Sequence, residues 1–277
     1  MTILRFQERL SKTIISTYKM ITSLQNPQVK EVVKLREGKR RREDGRFLID
    51  GQREVERAIR SGIRIDKVFY VPERVSESLK TALSDSQADL IDVSESVMEK
   101  VAFGNRDEGV VAVAFRPKNS LDNLKLSENP LIAVAEGVEK PGNIGALLRS
   151  ADGAGFDALI LADCKTDVFN PNAVRASLGT LFSVPVVETS SQEAVEWLKK
   201  KKIQIFAARC DCSILYTTAD FTKPCAIAVG AEADGLTDVW SGSDVQAIHL
   251  PMNGIADSLN VSVAAAVCFY EALRQRN

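Results

Sequence analysis

Residues 250–267 read LPMNGIADSLNVSVAAAV. Leu250 closes the apolar run VQAIHL, Pro251 ends it, and residues 252–257 form a polar loop. Ser258, Leu259 and Asn260 then lead into VSVAAAVCFYEAL, whose small apolar residues read as a buried helix. Either Ser258 or Asn260 alone is a good helix cap, because a side-chain oxygen there accepts a free N–H of the first turn. Capping leaves the two competing for one position. The order apolar strand, polar loop, apolar helix is the unit of an α/β sheet.

Working outward, the same unit recurs from Pro130. LIAVAE, DALILA, SVPVVE, IQIFAA, CAIAVG and VQAIHL are apolar runs of strand length. Helical stretches lie between several of them, notably NIGALLRSADGAG and SQEAVEWLKKKK. Continuous apolar strands separated by helices predict a mainly parallel sheet covered on both faces, with ligands at the carboxyl ends of its strands. Residues 116–129, RPKNSLDNLKLSEN, are polar and read as a linker between residues 20–115 and residues 130–277.

The first part also alternates: GRFLID, IDKVFYVP, ADLIDVS and EGVVAVAF are strand-like, with helical stretches after Pro27 and at GQREVERAIRSG, SESLKTALS and ESVMEKVA. It predicts a small α/β or α+β module. Residues 1–19 read as an extension with weak amphipathic character, and Met20 as an alternative start. They lack the continuous apolar core and small-residue cleavage site of a secretory signal.

Composition excludes several classes of function. The 277 residues carry 36 Lys and Arg against 37 Asp and Glu, which argues against wholesale non-specific nucleic-acid binding. Local charge is another matter: Lys39, Arg40, Arg41, Arg42 and Arg46 form a basic run of the kind phosphate contacts need, or else a solvated face. No apolar run is long enough to cross a bilayer. Five scattered cysteines are no disulfide framework and fit a reducing cytoplasm. With a single histidine, His249, neither a metal site nor a Ser-His-Asp triad is expected.

Three segments look unlike plain scaffold. EGVEKPGNIGALLRSADGAGF (136–156) follows a strand and opens a helix, with Asn143 as a possible cap and Arg149 exposed on the helix. Its glycines at 137, 142 and 145 do not give the Gly-x-Gly-x-x-Gly fingerprint of a nicotinamide-type domain. In VGAEADGLTD (229–238), Gly230 and Gly235 would let the backbone approach a ligand. A helix starting near Leu236 would leave N–H groups beside that ligand. The alternative is an ordinary strand–turn–helix junction. The third segment is 250–267.

Together, in this order and spacing, the three resemble the SpoU (TrmH-like) family of RNA ribose 2′-O-methyltransferases, of the SPOUT class. The marks are Asn-x-Gly-x-x-x-Arg at 143–149, VGAEADGL at 229–236 and LPMNGIADSLNVSVAAAV at 250–267, supported by NPNAVRASLGTLFSVPV at 170–186. Residues 177–180, Ser-Leu-Gly-Thr, depart slightly from the more usual Ser-x-Gly-Ala. Residues 21–59 resemble the L30e-like substrate-binding module that precedes the catalytic domain in rRNA-modifying members.

The resemblance implies a C-terminal domain with a trefoil knot, S-adenosyl-L-methionine as cofactor and a cytoplasmic homodimer with the active site at its interface. It implies 23S rRNA as substrate more than tRNA. Carried over, Gly230, Glu232, Gly235, Leu250, Met252 and Leu259 would line the cofactor pocket. Asn143, Arg149, Glu232, Ser258 and Asn260 would form the catalytic set. Two other readings stand beside this one: an inactive RNA-binding module of the same fold, and a nucleotide-cofactor enzyme of another type.

Overall fold

The computed structural model describes residues 20–104, 108–212, 214–231 and 234–277. The extension at 1–19 and Glu232 lie outside the described residues. The chain forms two compact units: one runs to Pro117 and includes Phe169–Phe182, the other is Lys118–Val168 with Ser183–Asn277.

The first unit opens on α1 (Pro27–Lys34), with Pro27 in its first turn and Asn26 Oδ1 accepting Gln28 N at 2.8 Å. There follow α2 (Gly38–Asp44), β1 (Arg46–Asp50), α3 (Gln52–Arg60), β2 (Ile65–Tyr70), α4 (Glu77–Asp85), β3 (Asp89–Asp92), α5 (Glu95–Val101) and β4 (Val110–Phe115). Its sheet runs β1-β4-β2-β3 among the described residues, with β4 antiparallel to both neighbours and β2 parallel to β3. Val29, Val32 and Leu35 of the first helical stretch pack on Leu48, Phe69, Val111 and Val113 of the sheet and on Val97, Met98 and Val101 of α5.

Residues 169–182 belong to this first unit, where the sequence predicts them inside the second domain. Local chemistry explains the difference. The Phe169 ring lies 4.5 Å from Phe47, and the Arg116 guanidinium stands 4.7 Å over it. Arg57 Nη1 donates to Leu178 O at 2.7 Å, and Arg175 Nη1 to Phe103 O at 2.9 Å. The short helix α7 (Pro171–Ala176) lies in this segment, capped by Asn170.

The second unit contains β5 (Leu131–Glu136), α6 (Pro141–Gly153), β6 (Ala158–Ala162), β7 (Val186–Thr189), α8 (Ser191–Lys200), β8 (Gln204–Ala208), β9 (Cys225–Val229), β10 (Val245–Ile248) and α9 (Val261–Arg276). The sheet order is β10-β8-β9-β5-β6-β7, and every neighbouring pair is parallel. All six apolar runs of the sequence are strands. β5, β6 and β9 are buried along their whole length, as a sheet covered on both faces requires. Residues 118–129 are not a free linker: Leu121, Leu124 and Leu126 pack on the sheet's core, and Asn119 Nδ2 donates to Val186 O at 3.1 Å.

Helix α9 covers the sheet beside α6. Phe269 of α9 is fully buried, with its ring 4.1 Å from Phe156; burying such a ring is worth about 1.5–3 kcal/mol. Gly153 of α6 leaves room for the Tyr270 hydroxyl, which a Cβ there would meet at 2.7 Å. Arg276 ties the helix end down, donating to the carbonyls of Phe221, Asn129 and Lys223 at 2.7–2.8 Å. Among the described residues no helix is long and apolar enough to cross a membrane.

Candidate active site

Strand order reverses direction between β5 and β9: the chain steps outward through β6 and β7, then returns on the other side with β8, β9 and β10. Loops leaving the carboxyl ends diverge at such a point, and a crevice opens between them. A cavity of about 480 Å³ lies beside that point, where β8, β9 and β10 end. Ala208, Arg209 and Cys210 line it after β8, and Val229, Gly230, Ala231, Asp234 and Gly235 after β9. Leu250 and Met252 line it after β10, and Asp257, Ser258, Leu259, Val261 and Ala264 at the entry to α9. The predicted pocket residues Gly230, Gly235, Leu250, Met252 and Leu259 therefore share one cavity. Arg209, Cys210, Asp234 and Asp257 were not foreseen. Arg209 and Cys210 lie just past the end of a strand whose sequence reads only as scaffold.

The turn after β9 differs from its predicted form. Gly230 is required by the protein's own backbone: a Cβ there would fall 2.1 Å from Gly235 C and 2.3 Å from Leu236 N. Gly235 has φ +66° and open space around it, so it serves the turn's left-handed geometry. Gly235 N donates to Ala231 O at 3.0 Å and closes the turn. No α-helix starts near Leu236, which is buried in the core. A 3-10 turn follows at Asp238–Ser241. Thr237 N is taken by Glu136 Oε2 at 2.7 Å, so it is not offered to a ligand.

At the helix entry the two competing caps separate. Asn260 is the cap of α9: its Oδ1 accepts Ser262 N at 3.0 Å and Ser262 Oγ at 2.6 Å. Ser258 lies two residues earlier, exposed on the cavity wall. Asn143 is not a cap. Lys140 precedes the helix, Pro141 occupies its first turn, and Asn143 sits inside it. Its side chain turns instead to α9, where Asn260 Nδ2 donates to Asn143 Oδ1 at 3.3 Å. Asn143 also lines a second cavity of about 240 Å³ with Lys140, Glu139 and Asp234, which shares Ala231, Asp234 and Val261 with the first.

Arg149 stands apart from this cluster. It is exposed on α6, about 9 Å further along the helix axis than Asn143 at 1.5 Å per residue. It makes no hydrogen bond or ion pair among the described residues. Glu232 lies outside the described residues. Among the described residues no group of three or more His, Cys, Asp or Glu is arranged for a metal ion.

The basic run in the first unit is only partly available. Arg41 is buried and donates from Nη1 to Leu35 O (3.0 Å) and Arg36 O (2.7 Å), holding the junction of α1 and α2. Arg46 is caged by Glu31 (2.5 Å), Asp66 (2.9 Å) and Asp44 (3.4 Å). Burial works against its charge, but Glu31 and Asp66 outweigh it and hold the guanidinium above its ordinary value. Arg40 pairs with Asp44 at 3.0 Å and Lys39 with Glu43 at 3.8 Å, while Arg42 is exposed. The acidic residues interleaved with this run, not visible as partners in a linear reading, correct the expectation of a five-residue patch.

Comparison with known proteins agrees with this arrangement. Residues 130–270 match the model of the SpoU rRNA Methylase family, and residues 26–112 that of the MRM3-like substrate binding domain. The 23S rRNA (uridine(2479)-2′-O)-methyltransferase of Streptomyces viridochromogenes is 32% identical over 244 residues, 84% of each chain. A crystal structure of an RNA 2′-O ribose methyltransferase superposes with TM-score 0.80 at 40% identity, covering 93% of this chain and 99% of that one. The SpoU methyltransferase AviRb from Streptomyces viridochromogenes, solved with AdoMet, superposes with TM-score 0.84 at 30% identity, covering 91% and 98%. In fold, motifs and sequence, the chain belongs to the SpoU rRNA methylase family.

Proposed function

We propose that this protein methylates a ribose 2′-hydroxyl of RNA with S-adenosylmethionine, and that its substrate is 23S rRNA. The observation that carries this reading is the cavity where β8, β9 and β10 end beside the entry to α9. Its volume of about 480 Å³ suits a small-molecule cofactor, for which pockets run about 300–1,000 Å³. Leu250, Met252, Leu259 and Val261 offer an apolar bed for an adenine ring. Asp234 and Asp257 offer carboxylates to the cofactor's cationic groups, while the Arg209 guanidinium is held by Asp211 and Ser241. The relative from Streptomyces viridochromogenes acts, by its name, on 23S rRNA, which favours rRNA over tRNA.

When bound, S-adenosylmethionine supplies an electrophilic methyl group on its sulfonium. The chain's own residues must then hold a ribose in line and manage the 2′-OH proton. Asn143, Ser258 and Asn260 orient the hydroxyl through hydrogen bonds. Arg149 grips the neighbouring phosphate and stabilises the developing alkoxide. A guanidinium, with a pKa above about 12, is a poor base, so the proton passes to a phosphate oxygen of the RNA or to water. By the family resemblance, Glu232 joins this catalytic set.

The exposure of Arg149, away from the cavity of its own chain, supports a homodimer in which two copies complete each site. Val263 and Tyr270, both half-exposed on α9, offer the contact surface. A trefoil knot through the C-terminal helix and a cytoplasmic location complete the reading. The test is calorimetry with S-adenosylmethionine, followed by mapping of 2′-O-methyls in rRNA from a deletion strain and its parent. Absence of cofactor binding would sink the reading. An unchanged rRNA map with a site lost from tRNA would overturn the substrate.

A further inference from the structure

Glu136 is a carboxylate buried to 3% exposure at the carboxyl end of β5. It lines neither cavity. Its oxygens accept three hydrogen bonds: from Thr237 N and Thr237 Oγ1, both at 2.7 Å, and from Ser191 Oγ at 2.5 Å. A buried carboxylate needs its acceptor capacity filled, and here three donors fill it. Two of these bonds end on one residue, Thr237, which follows the turn after β9 two residues past Gly235 of the cavity wall. That turn is otherwise closed by the backbone contact of Gly230 with Gly235, the bond from Gly235 N to Ala231 O, and burial of Leu236. The third bond reaches Ser191, the first residue of α8 after β7.

We propose that Glu136 is a positioning residue for S-adenosylmethionine. By clamping Thr237 it holds residues 234–237, the first two of which line the cavity, against β5. The proposal rests on the cavity's assignment to that cofactor. Glu136 touches no ligand; it acts through Thr237. The Ser191 bond reaches α8 and the two Thr237 bonds reach the cavity side, so the two partners can be varied separately.

The test compares Glu136→Gln, Thr237→Val and Ser191→Ala in the full chain. The readouts are calorimetry with S-adenosylmethionine, thermal melting and hydrogen exchange at the amides of the turn. Glu136→Gln places an amide NH₂ against one of the donors. It is expected to weaken cofactor binding by about tenfold or more, speed exchange at Gly235, and leave affinity for an rRNA fragment unchanged. Thr237→Val removes one of the two clamp bonds and is expected to weaken binding by a few-fold. Ser191→Ala is expected to lower the melting temperature while leaving the cofactor Kd within about twofold. Wild-type cofactor affinity and unchanged exchange in Glu136→Gln would overturn the proposal. Should that variant fail to fold, the same result in Thr237→Val overturns it. A wild-type protein that binds no S-adenosylmethionine instead defeats the cofactor reading, and exchange at the turn still decides whether Glu136 holds it.

Discussion

Asn260 Nδ2 donates to Asn143 Oδ1 at 3.3 Å while the Oδ1 of the same amide caps α9. One side chain thus divides its two ends between the fold and the site. Asp at 260 keeps the acceptor and, as an anion at a helix N-terminus, suits the helix dipole. It loses the donor. Asn260→Asp is expected to melt within a degree or two of the parent while methyl transfer falls at least about tenfold. Asn260→Ala loses both, at about 1 kcal/mol of stability besides the activity. Melting curves and turnover on the same preparations separate the two roles.

Ser258 makes the complementary case. It is exposed and is not the cap of α9. Ser258→Ala is therefore expected to change stability by less than about 0.5 kcal/mol, as surface substitutions do. If the hydroxyl orients the acceptor ribose, turnover falls while cofactor Kd stays put. Equal turnover in the variant and the parent would remove Ser258 from the catalytic set.

The two glycines of the β9 turn answer to different forces. Gly230→Ala drives a Cβ into the backbone of Gly235 and Leu236 at 2.1–2.3 Å, with no flexible side chain to yield. A loss of about 3 kcal/mol or more is expected, at the upper end of overpacking. Gly235→Ala meets open space, and only the φ of +66° resists it, at roughly 1–2 kcal/mol. Denaturant melts give the order; a Gly230→Ala variant as stable as Gly235→Ala contradicts it.

The strands were legible because burial on both faces of a parallel sheet leaves a continuous apolar signature, as in LIAVAE and CAIAV. Five of the cavity residues, Gly230, Gly235, Leu250, Met252 and Leu259, were legible through the family resemblance, because their motifs stand just after those strands. Partnership across the fold was not. Nothing in GKRRRED says that Arg41 turns inward to Leu35 O, or that Glu31, fifteen residues before Arg46, comes back to pair with it. Asn143 looked like a cap because Pro141 and Gly142 obscure where the helix starts. Residues 169–182 belong to the span matched by the SpoU family model, yet they cluster with the first unit because their aromatic anchor, Phe47, lies in a distant segment. Local pattern carries secondary structure, whereas side-chain pairing depends on contacts between distant segments.

The basic run yields a contrast in RNA binding. Arg42 is exposed, so Arg42→Ala is expected to weaken RNA binding and reduce the salt slope by about 1, with stability unchanged. Arg46→Ala is expected instead to destabilise the first unit, leaving Glu31, Asp44 and Asp66 without their shared cation. Glu31 also gives this cluster a pH dependence. Burial raises its pKa, but Arg46 and Lys67 outweigh burial and hold it below the usual 4.5. Its contribution is therefore complete above the unfolded value and fades as pH falls through the lowered one. Anisotropy titrations at several salt concentrations and acid melts check the two halves.

The cysteines report on the cavity directly. Burial pushes the thiol of Cys225 up to about 11, partly offset by Arg276, and that of Cys268 up to about 12. Neither forms thiolate near neutral pH, and both are buried. Cys210 is exposed and lines the cavity after β8. Native labelling with N-ethylmaleimide at pH 7.5, read by peptide mass spectrometry, is expected to modify Cys210 well before Cys225 and Cys268. Saturating S-adenosylmethionine should slow the reaction at Cys210 several-fold, because a ligand in the cavity covers the thiol. Labelling of Cys210 at an unchanged rate with the cofactor bound would place the cofactor elsewhere.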